Sequence, residues 1–402
     1  MKRREFLLRT VSPLLLAASA KMTLSPAVAK TLGAQQTISL FLCGDVMTGR
    51  GIDQVLPHPS APQLYEPYVR HAREYVHLAE QANGPIPAPV EFAYIWGDAI
   101  AELERMGPDV RIINLETSVT TNDDYWRDKG INYRMHPKNM ACITAAKIDC
   151  CVLANNHVLD WGRDGLTDTL KTLHDAKLKT AGAGRNSAEA AAPAIVDIGA
   201  KGRVVVFSLG TGSSGIPPDW TAGTRRPGVN LLPDLSEQTV RHIGANVQAV
   251  RRPRDVVVAS IHWGGNWGYE ISGEHVEFAH RLIDTAGADI VHGHSCHHPQ
   301  GIEVYQDRLI IYGCGDLIND YEGISGYDEY RDDLTLMYFP RVAPATGKLF
   351  EMEMVPQQIR RFRLNRVSNG DAQWLQATLD RECRKFGAGV EMTEAHTLAL
   401  HW

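Results

Sequence analysis

Residues that commonly bind metal ions follow the ends of five apolar runs in this sequence. They are Asp45, Asn114 with Glu116, the run Asn155-Asn156-His157, His262, and the histidines 292, 294 and 297. Mixed oxygen and nitrogen donors of this kind suit Mn, Fe or Zn. Two such ions roughly 3.5–4 Å apart could share one carboxylate and activate a water molecule. The pattern therefore predicts a centre that holds one or two divalent ions (Mn, Fe or Zn).

The elements that would position these residues alternate between strand and helix. Apolar, β-rich runs predict strands at 37–45, 109–116, 149–156, 203–210, 255–264 and 288–294. Helical periodicity predicts helices at 97–107, 138–147, 164–176, 235–251 and 274–286, the third with an N-terminal Asp164 cap. This alternation indicates an α/β fold. Ligands of open α/β sheets bind outside the carboxyl ends of the strands, so the candidate ligands should meet at one edge.

The pattern changes after residue 300. The segments 301–313, 334–342 and 349–364 are β-rich and predict antiparallel strands added to the sheet, and 371–386 predicts a closing helix. Segment 55–93 is rich in Pro, His and Tyr, and segment 211–230 is rich in Gly, Ser and Pro; both predict long loops that could wall an active site.

Each candidate ligand has an ordinary structural alternative. Asp45 could be a turn residue after Gly44, Glu116 could cap a helix or pair with an arginine, and His262 could be a core histidine. The segment HGHSCHH (292–298) carries the strongest single signal. The shared position of all these residues at strand ends favours a common metal site.

The N-terminus has the composition of an export signal. Arg3 and Arg4 precede a moderately apolar stretch that ends in the small-residue site Ala27-Val28-Ala29. The paired arginines resemble a twin-arginine signal, which predicts that residues 1–29 direct the protein through the twin-arginine export machinery to a periplasmic or extracytoplasmic location. A plain secretory signal or a retained anchor is the alternative.

Composition excludes several classes of protein. The 402 residues have a formal net charge of −6, and removal of residues 1–29 takes away five basic and one acidic residue, which leaves −10. Nucleic acid is therefore not an expected partner. The seven cysteines form no disulfide or zinc pattern, and we expect buried free thiols.

A series of short motifs resembles the CapA family, named for bacterial poly-γ-glutamate capsule synthesis. The motifs are GDVMTGR (44–50), NLET (114–117), ANNHVLDWG (154–162), RPGVN (226–230), HWGGNW (262–267), GHSCHHPQGIE (293–303) and YGCGDLINDYE (312–322). The family's fold is similar to that of calcineurin-like metallophosphoesterases. The resemblance implies an α/β, four-layer α-β-β-α sandwich over residues 37–330. Residues 331–402 are expected to complete the same domain with antiparallel strands and a helix.

The resemblance also implies roles for individual residues. Asp45 matches the aspartate of the superfamily's first motif, but Met47 stands where that motif has histidine. Glu116 stands in place of the bridging aspartate. The remaining implied metal ligands are Asn156, His262, His294 and His297.

Two classes of function are compatible with these motifs. In the first, the protein is a metal-dependent hydrolase or transferase acting on an anionic polymer or a phosphoester, with His157 as proton donor. Arg225 or Arg226 would clamp substrate carboxylates, and Asn155 and Asp316 would line the pocket, although a capped loop is an alternative for Asp316. In the second, it is a non-catalytic envelope protein that handles such a polymer. A periplasmic phosphoesterase and contacts with other capsule-synthesis proteins are further expectations.

Overall fold

The computed structural model describes residues 37–127 and 129–402. The predicted export signal lies outside these residues. The first ten strands are β1 (Ile38–Val46), β2 (Val110–Leu115), β3 (Ser118–Val119), β4 (Arg134–Met135), β5 (Cys150–Val152), β6 (Lys179–Ala181), β7 (Ala183–Gly184), β8 (Ala194–Asp197), β9 (Arg203–Gly210) and β10 (Gly228–Val229). The others are β11 (Asp255–His262), β12 (Ile290–His294), β13 (Ile302–Tyr305), β14 (Arg308–Ile311), β15 (Asp316–Ile318), β16 (Leu334–Ala343), β17 (Lys348–Ile359), β18 (Leu364–Arg366), β19 (Gly389–Met392) and β20 (Leu398–His401).

The α-helices follow most of the predicted positions. They are α1 (Arg50–Val55), α2 (Arg73–Asn83), α3 (Ala99–Met106), α4 (Ala141–Thr144), α5 (Gly162–Asp175), α6 (Ser187–Ala191), α7 (Glu237–Val250), α8 (Gly273–Asp284) and α9 (Asn369–Arg384). Short 3-10 turns occupy Tyr94–Trp96, Pro137–Asn139, Gly199–Lys201, Gly212–Ser214 and Pro218–Trp220.

Two large sheets contain most of the strands. The first has the order β19-β20-β17-β16-β1-β2-β5-β6, and β15 also pairs with β1. Its strands β1, β2, β5 and β6 are parallel. The second sheet has the order β13-β14-β12-β11-β9-β8, with β9, β11, β12 and β14 parallel. The parallel strands of each sheet therefore end at one edge.

Alternating strand residues separate the core into three apolar layers. Leu40 of β1 and Val206 of β9 belong to the cluster between the two sheets. The adjacent residues point the other way, so that Phe41 packs against the helices that include α3 and α5, and Phe207 packs against α7 and α8. Each sheet thus has one face on the other sheet and one face on helices, which confirms the predicted four-layer α-β-β-α sandwich.

The chain after residue 330 extends the first sheet. Strand β16 runs antiparallel to β1, with Ile38 opposite Val342, and β17, β18, β19 and β20 continue with antiparallel pairing. These are the predicted antiparallel C-terminal strands, and β16 pairs with the part of β1 that precedes Asp45.

Two details of the sequence prediction are wrong. Segment 55–93 contains helix α2, which buries Tyr75 and Ala79 on one side. The prolines before and after that helix made the whole segment resemble a loop. Helix α5 begins at Gly162 without a side-chain cap, and Asp164 lies in its first turn instead. All seven cysteines are buried and free, as predicted, and none of the helices in 37–127 and 129–402 has the length and apolar character needed to cross a membrane.

Candidate metal centre

The carboxyl ends of strands from both sheets meet at one place. In the first sheet Asp45 of β1 pairs with Asn114 of β2, and in the second His262 of β11 pairs with His294 of β12. The two sheets are joined here, because His294 Nδ1 lies 3.8 Å from Asp45 Oδ1. The predicted ligands therefore converge as the strand-end rule requires.

One group of ligand atoms is rich in nitrogen. Single ligand atoms of Asp45, His262 and His294 all lie within 4.8 Å of one another, and all three residues are buried. The Nδ1 atoms of the two histidines are 2.8 Å apart, and His262 Nε2 lies 3.0 Å from Asn156 Oδ1. Glu116 Oε1 is 3.9 Å from the same His262 nitrogen. We call this set the histidine group.

A second group is rich in carboxylate. Ligand atoms of Asp45, His297 and Asp316 also lie within 4.8 Å of one another, in buried positions. His297 Nδ1 is 2.8 Å from Asp316 Oδ1, and Asn319 donates to Asp316 Oδ2 at 2.9 Å. We call this set the aspartate group; Asp45 belongs to both. The sequence placed Asp316 on the substrate side, whereas the structure places its carboxylate among the potential ligands.

The residues at this junction fit a cation. Glu116 Oε2 is buried without a hydrogen-bond partner. Burial, followed by the charge of Asp316, raises the pKa of Asp45 to about 7, and burial beside Asp45 raises the pKa of Glu116 well above its usual value. Burial also lowers the pKa values of His262 and His294, which keeps both rings in the neutral form that binds metals. A divalent ion would supply the missing partner and offset the crowded negative charge.

Polar neighbours hold the candidate ligands in place. Asn114 donates to Asp45 Oδ1 at 2.6 Å, and His294 Nε2 lies 2.9 Å from Ser260 Oγ. Outer hydrogen bonds of this type fix the orientation of metal ligands. His292 has a structural role instead, since its Nε2 lies 2.8 Å from the carbonyl oxygen of Cys43 and so connects the two sheets.

His157 sits beside the histidine group. Its Nε2 is 3.8 Å from Glu116 Oε1, while its Nδ1 contacts Asp160 Oδ2 at 2.6 Å and Lys129 Nζ at 2.8 Å. Burial lowers the pKa of His157 to about 4 although Asp160 opposes this. The imidazole is therefore neutral at pH 7, and a proton-donor role requires that bound anionic substrate raise its pKa.

Two partners of His157 are not among the residues predicted from the sequence. Asp160 lies three residues further along and could have been recognised from the run His157-Val158-Leu159-Asp160. Lys129 comes from a loop without any pattern, and it forms a 2.6 Å ion pair with Asp160. Burial lowers the pKa of this lysine, with Asp160 acting in the opposite direction.

The predicted substrate-binding residues lie in different places. Asn155 is buried, donates to Asn114 Oδ1 and the Leu115 carbonyl at 2.9 Å, and accepts from the His157 amide at 3.2 Å. It therefore orients the ligand-bearing turn. Arg225 and Arg226 are exposed on the loop after β9, where Arg226 donates to the Thr221 carbonyl. Within residues 37–127 and 129–402, neither arginine forms a hydrogen bond or ion pair with the two ligand groups.

Comparisons with known proteins agree with the predicted family. The family model "Bacterial capsule synthesis protein PGA_cap" matches residues 39–321. A Mycobacterium tuberculosis protein named "Probable polyglutamine synthesis accessory protein" is 47% identical over 89% of this chain and 94% of its own length. "PGA biosynthesis protein CapA" of Bacillus subtilis is 25% identical over 76% of this chain and 68% of its own. A solved phosphatase of Mycoplasma pneumoniae aligns with 80% of this chain and 93% of that chain, at 11% identity and a TM-score of 0.44. The chain belongs to the family of the bacterial capsule synthesis protein PGA_cap.

Proposed function

We propose that this protein is an exported, metal-dependent hydrolase or transferase that acts on an anionic polymer during capsule or poly-γ-glutamate synthesis. The observation that carries the proposal is the pair of buried ligand groups that share Asp45. Two ions held by a common carboxylate are a recurrent arrangement in hydrolytic enzymes. Bound there, divalent ions would polarise a substrate oxygen and lower the pKa of water.

Residues of this chain would provide the remaining chemistry. His262, His294 and Asn156 would hold one ion, and His297 and Asp316 the other, with Asp45 and Glu116 between them. His157 faces this junction beside Glu116 and would pass a proton to the leaving group once substrate is bound. Asp160 would keep its ring oriented through Nδ1.

The names of the relatives and the net charge of the chain are the basis for proposing an anionic polymer as substrate. Relatives of this chain are named for polyglutamine synthesis, PGA biosynthesis and capsule biosynthesis. The chain carries a formal net charge of −6, so an anionic polymer would find little general attraction to it. Local cations at the strand ends would supply that attraction through the polymer's carboxylates. Export through the N-terminal signal and contacts with other capsule-synthesis proteins are part of the same proposal.

A non-catalytic role in polymer handling is the second candidate. It is favoured by Met47, which is fully buried at the position where metallophosphoesterases have a first-motif histidine. A centre without that ligand could bind polymer carboxylates through its ions and catalyse nothing.

The deciding experiment combines metal analysis with turnover. The chain from residue 30 is loaded with Mn²⁺ or Zn²⁺ and compared with a His262→Ala/His294→Ala variant by elemental analysis. Both are then assayed for release of phosphate from p-nitrophenyl phosphate and for shortening of poly-γ-glutamate on gels. A His174→Ala variant is the matched control, because His174 is exposed on α5.

The outcomes separate the candidates. About two ions per chain, lost in the double variant together with hydrolysis, would support the enzyme. Bound metal with polymer binding and unchanged chain length would support the handling role. A wild-type chain that retains no metal after loading would contradict both metal-based proposals.

A further inference from the structure

Two tyrosine hydroxyls lie at the edge of the aspartate group. Tyr321 Oη is 3.5 Å from His297 Nε2 and 3.9 Å from Met47 Sδ. It is also 3.5 Å from Tyr133 Oη, and the Tyr133 ring meets the His157 ring edge-on with centroids 4.4 Å apart. The pair therefore spans the space between the candidate ligand His297 and the candidate proton donor His157.

Neither hydroxyl has a short hydrogen-bond partner. Hydroxyl hydrogen bonds are usually 2.7–2.8 Å long, whereas the oxygen–oxygen and oxygen–nitrogen distances here are both 3.5 Å. Tyr133 is almost completely buried, and a buried hydroxyl normally finds a good partner. An acceptor placed between the two oxygens would satisfy both of them.

The ring positions are fixed from behind by a buried arginine. The Arg50 guanidinium lies 4.5 Å from the centre of the Tyr133 ring and 5.9 Å from that of Tyr321. Arg50 is itself held by ion pairs with Asp320 and Glu66. Because Asp320 directly precedes Tyr321, the same ion pair fixes the chain that carries the second phenol. The hydroxyls are thus presented by a rigid support.

We propose that Tyr133 and Tyr321 together donate hydrogen bonds to one oxygen of an oxyanion bound at the centre. This inference rests on the proposed function for the identity of the bound group, which is a phosphoryl or a carboxylate oxyanion. In this proposal the two phenols bind the anion and do not bind the metal ions. Tyr321 Oη lies beside Met47, the residue at the position of the first-motif histidine, so neutral hydroxyl donors stand on this side of the centre.

The test measures anion binding separately from metal binding. Wild-type full chain, Tyr321→Phe and Tyr133→Phe are loaded with Mn²⁺ and titrated calorimetrically with inorganic phosphate and, in a second arm, with γ-glutamylglutamate. Tyr330→Phe is the matched control, because Tyr330 lies on the same loop and stacks on His298. Metal content of every sample is measured by elemental analysis.

We expect each phenylalanine variant to bind at least one of the two anions about tenfold more weakly, with unchanged metal content and with Tyr330→Phe unaffected. The arm that responds identifies whether the anion is a phosphoryl or a carboxylate. Unchanged affinity in both variants would overturn the inference, and so would a loss of metal in Tyr321→Phe, since the hydroxyl would then serve the ion. If the wild-type chain binds no metal, the proposed function is contradicted. The inference survives that result only if phosphate binding to the metal-free chain is weakened by Tyr321→Phe. If Tyr321→Phe has no effect on phosphate binding to the metal-free chain, the inference is rejected as well.

Discussion

Asp45 and Asp316 are paired residues of the parallel strands β1 and β15, and each follows a glycine. The two Gly-Asp segments touch directly, because the Asp45 amide donates to the Gly315 carbonyl at 3.0 Å. This contact brings residues that are distant in sequence into one ligand group. It also makes the geometry of the aspartate group sensitive to the space between the two segments.

Gly44→Ala should disturb this contact strongly. A Cβ atom at position 44 would lie 1.6 Å from the Gly315 carbonyl oxygen, so the strands must separate. We expect a loss of about 2–3 kcal/mol in the free energy of unfolding, measured in urea, together with weaker metal binding. Gly265→Ala is the control, because a Cβ atom there meets nothing within 4 Å. Equal stability of the two variants would show that β1 and β15 are less closely packed than described.

Asp316→Asn should weaken metal binding at the aspartate group without changing the histidine group. The change removes one negative charge from the aspartate group and keeps the size of the side chain, while the histidine group loses none of its residues. We expect elemental analysis to show a fall from about two ions per chain to about one. Asp328→Asn, which alters an exposed residue of the following loop, should leave the metal content unchanged. If the Asp316→Asn variant still holds two ions per chain, the charge of this carboxylate is not needed for binding the second ion.

Much of this arrangement could be predicted from the sequence because strand ends are easy to recognise. The runs that end at Asp45, His262 and His294 are apolar and β-rich, and parallel pairing brings their carboxyl ends to one edge. The four-layer sandwich follows from the same alternation of strands and helices. The order of the motifs does not reveal which side chains face the metal centre. Asn155 and His292 were therefore counted among the candidate site residues, although their hydrogen bonds give them structural roles.

The missed residues have a common physical cause. Lys129, Tyr133 and Asp160 act through contacts with His157 that depend on how loops fold across the strand ends. Asp316 enters the ligand set through strand pairing with β1, which is a long-range contact that local periodicity does not encode. Such residues are recognisable only when the tertiary structure is known.

Lys129→Met should destabilise the protein. Its ammonium group forms a 2.6 Å ion pair with buried Asp160 and contacts His157, so removal of the charge leaves Asp160 without its cationic partner. Loss of one member of a buried pair typically costs about 3–5 kcal/mol, and we expect a decrease near the lower limit because the lysine side chain is 14% exposed. The decrease in the free energy of unfolding is measured by urea denaturation. Lys171→Met removes an exposed pair on α5 and should change nothing measurable.

His157→Ala tests the proton-transfer step. The imidazole lies beside Glu116 but outside both ligand groups, so its removal should leave the metal content unchanged. Loss of a positioned proton donor typically lowers turnover by about 10²–10⁴-fold, and we expect such a decrease with whichever of p-nitrophenyl phosphate or poly-γ-glutamate the wild-type chain hydrolyses. Asp160→Asn should also lower turnover, because it removes the carboxylate that orients Nδ1 and pairs with Lys129. A modest effect of His157→Ala, with both ions retained, would exclude this histidine from the chemical step and leave the metal centre as the source of catalysis.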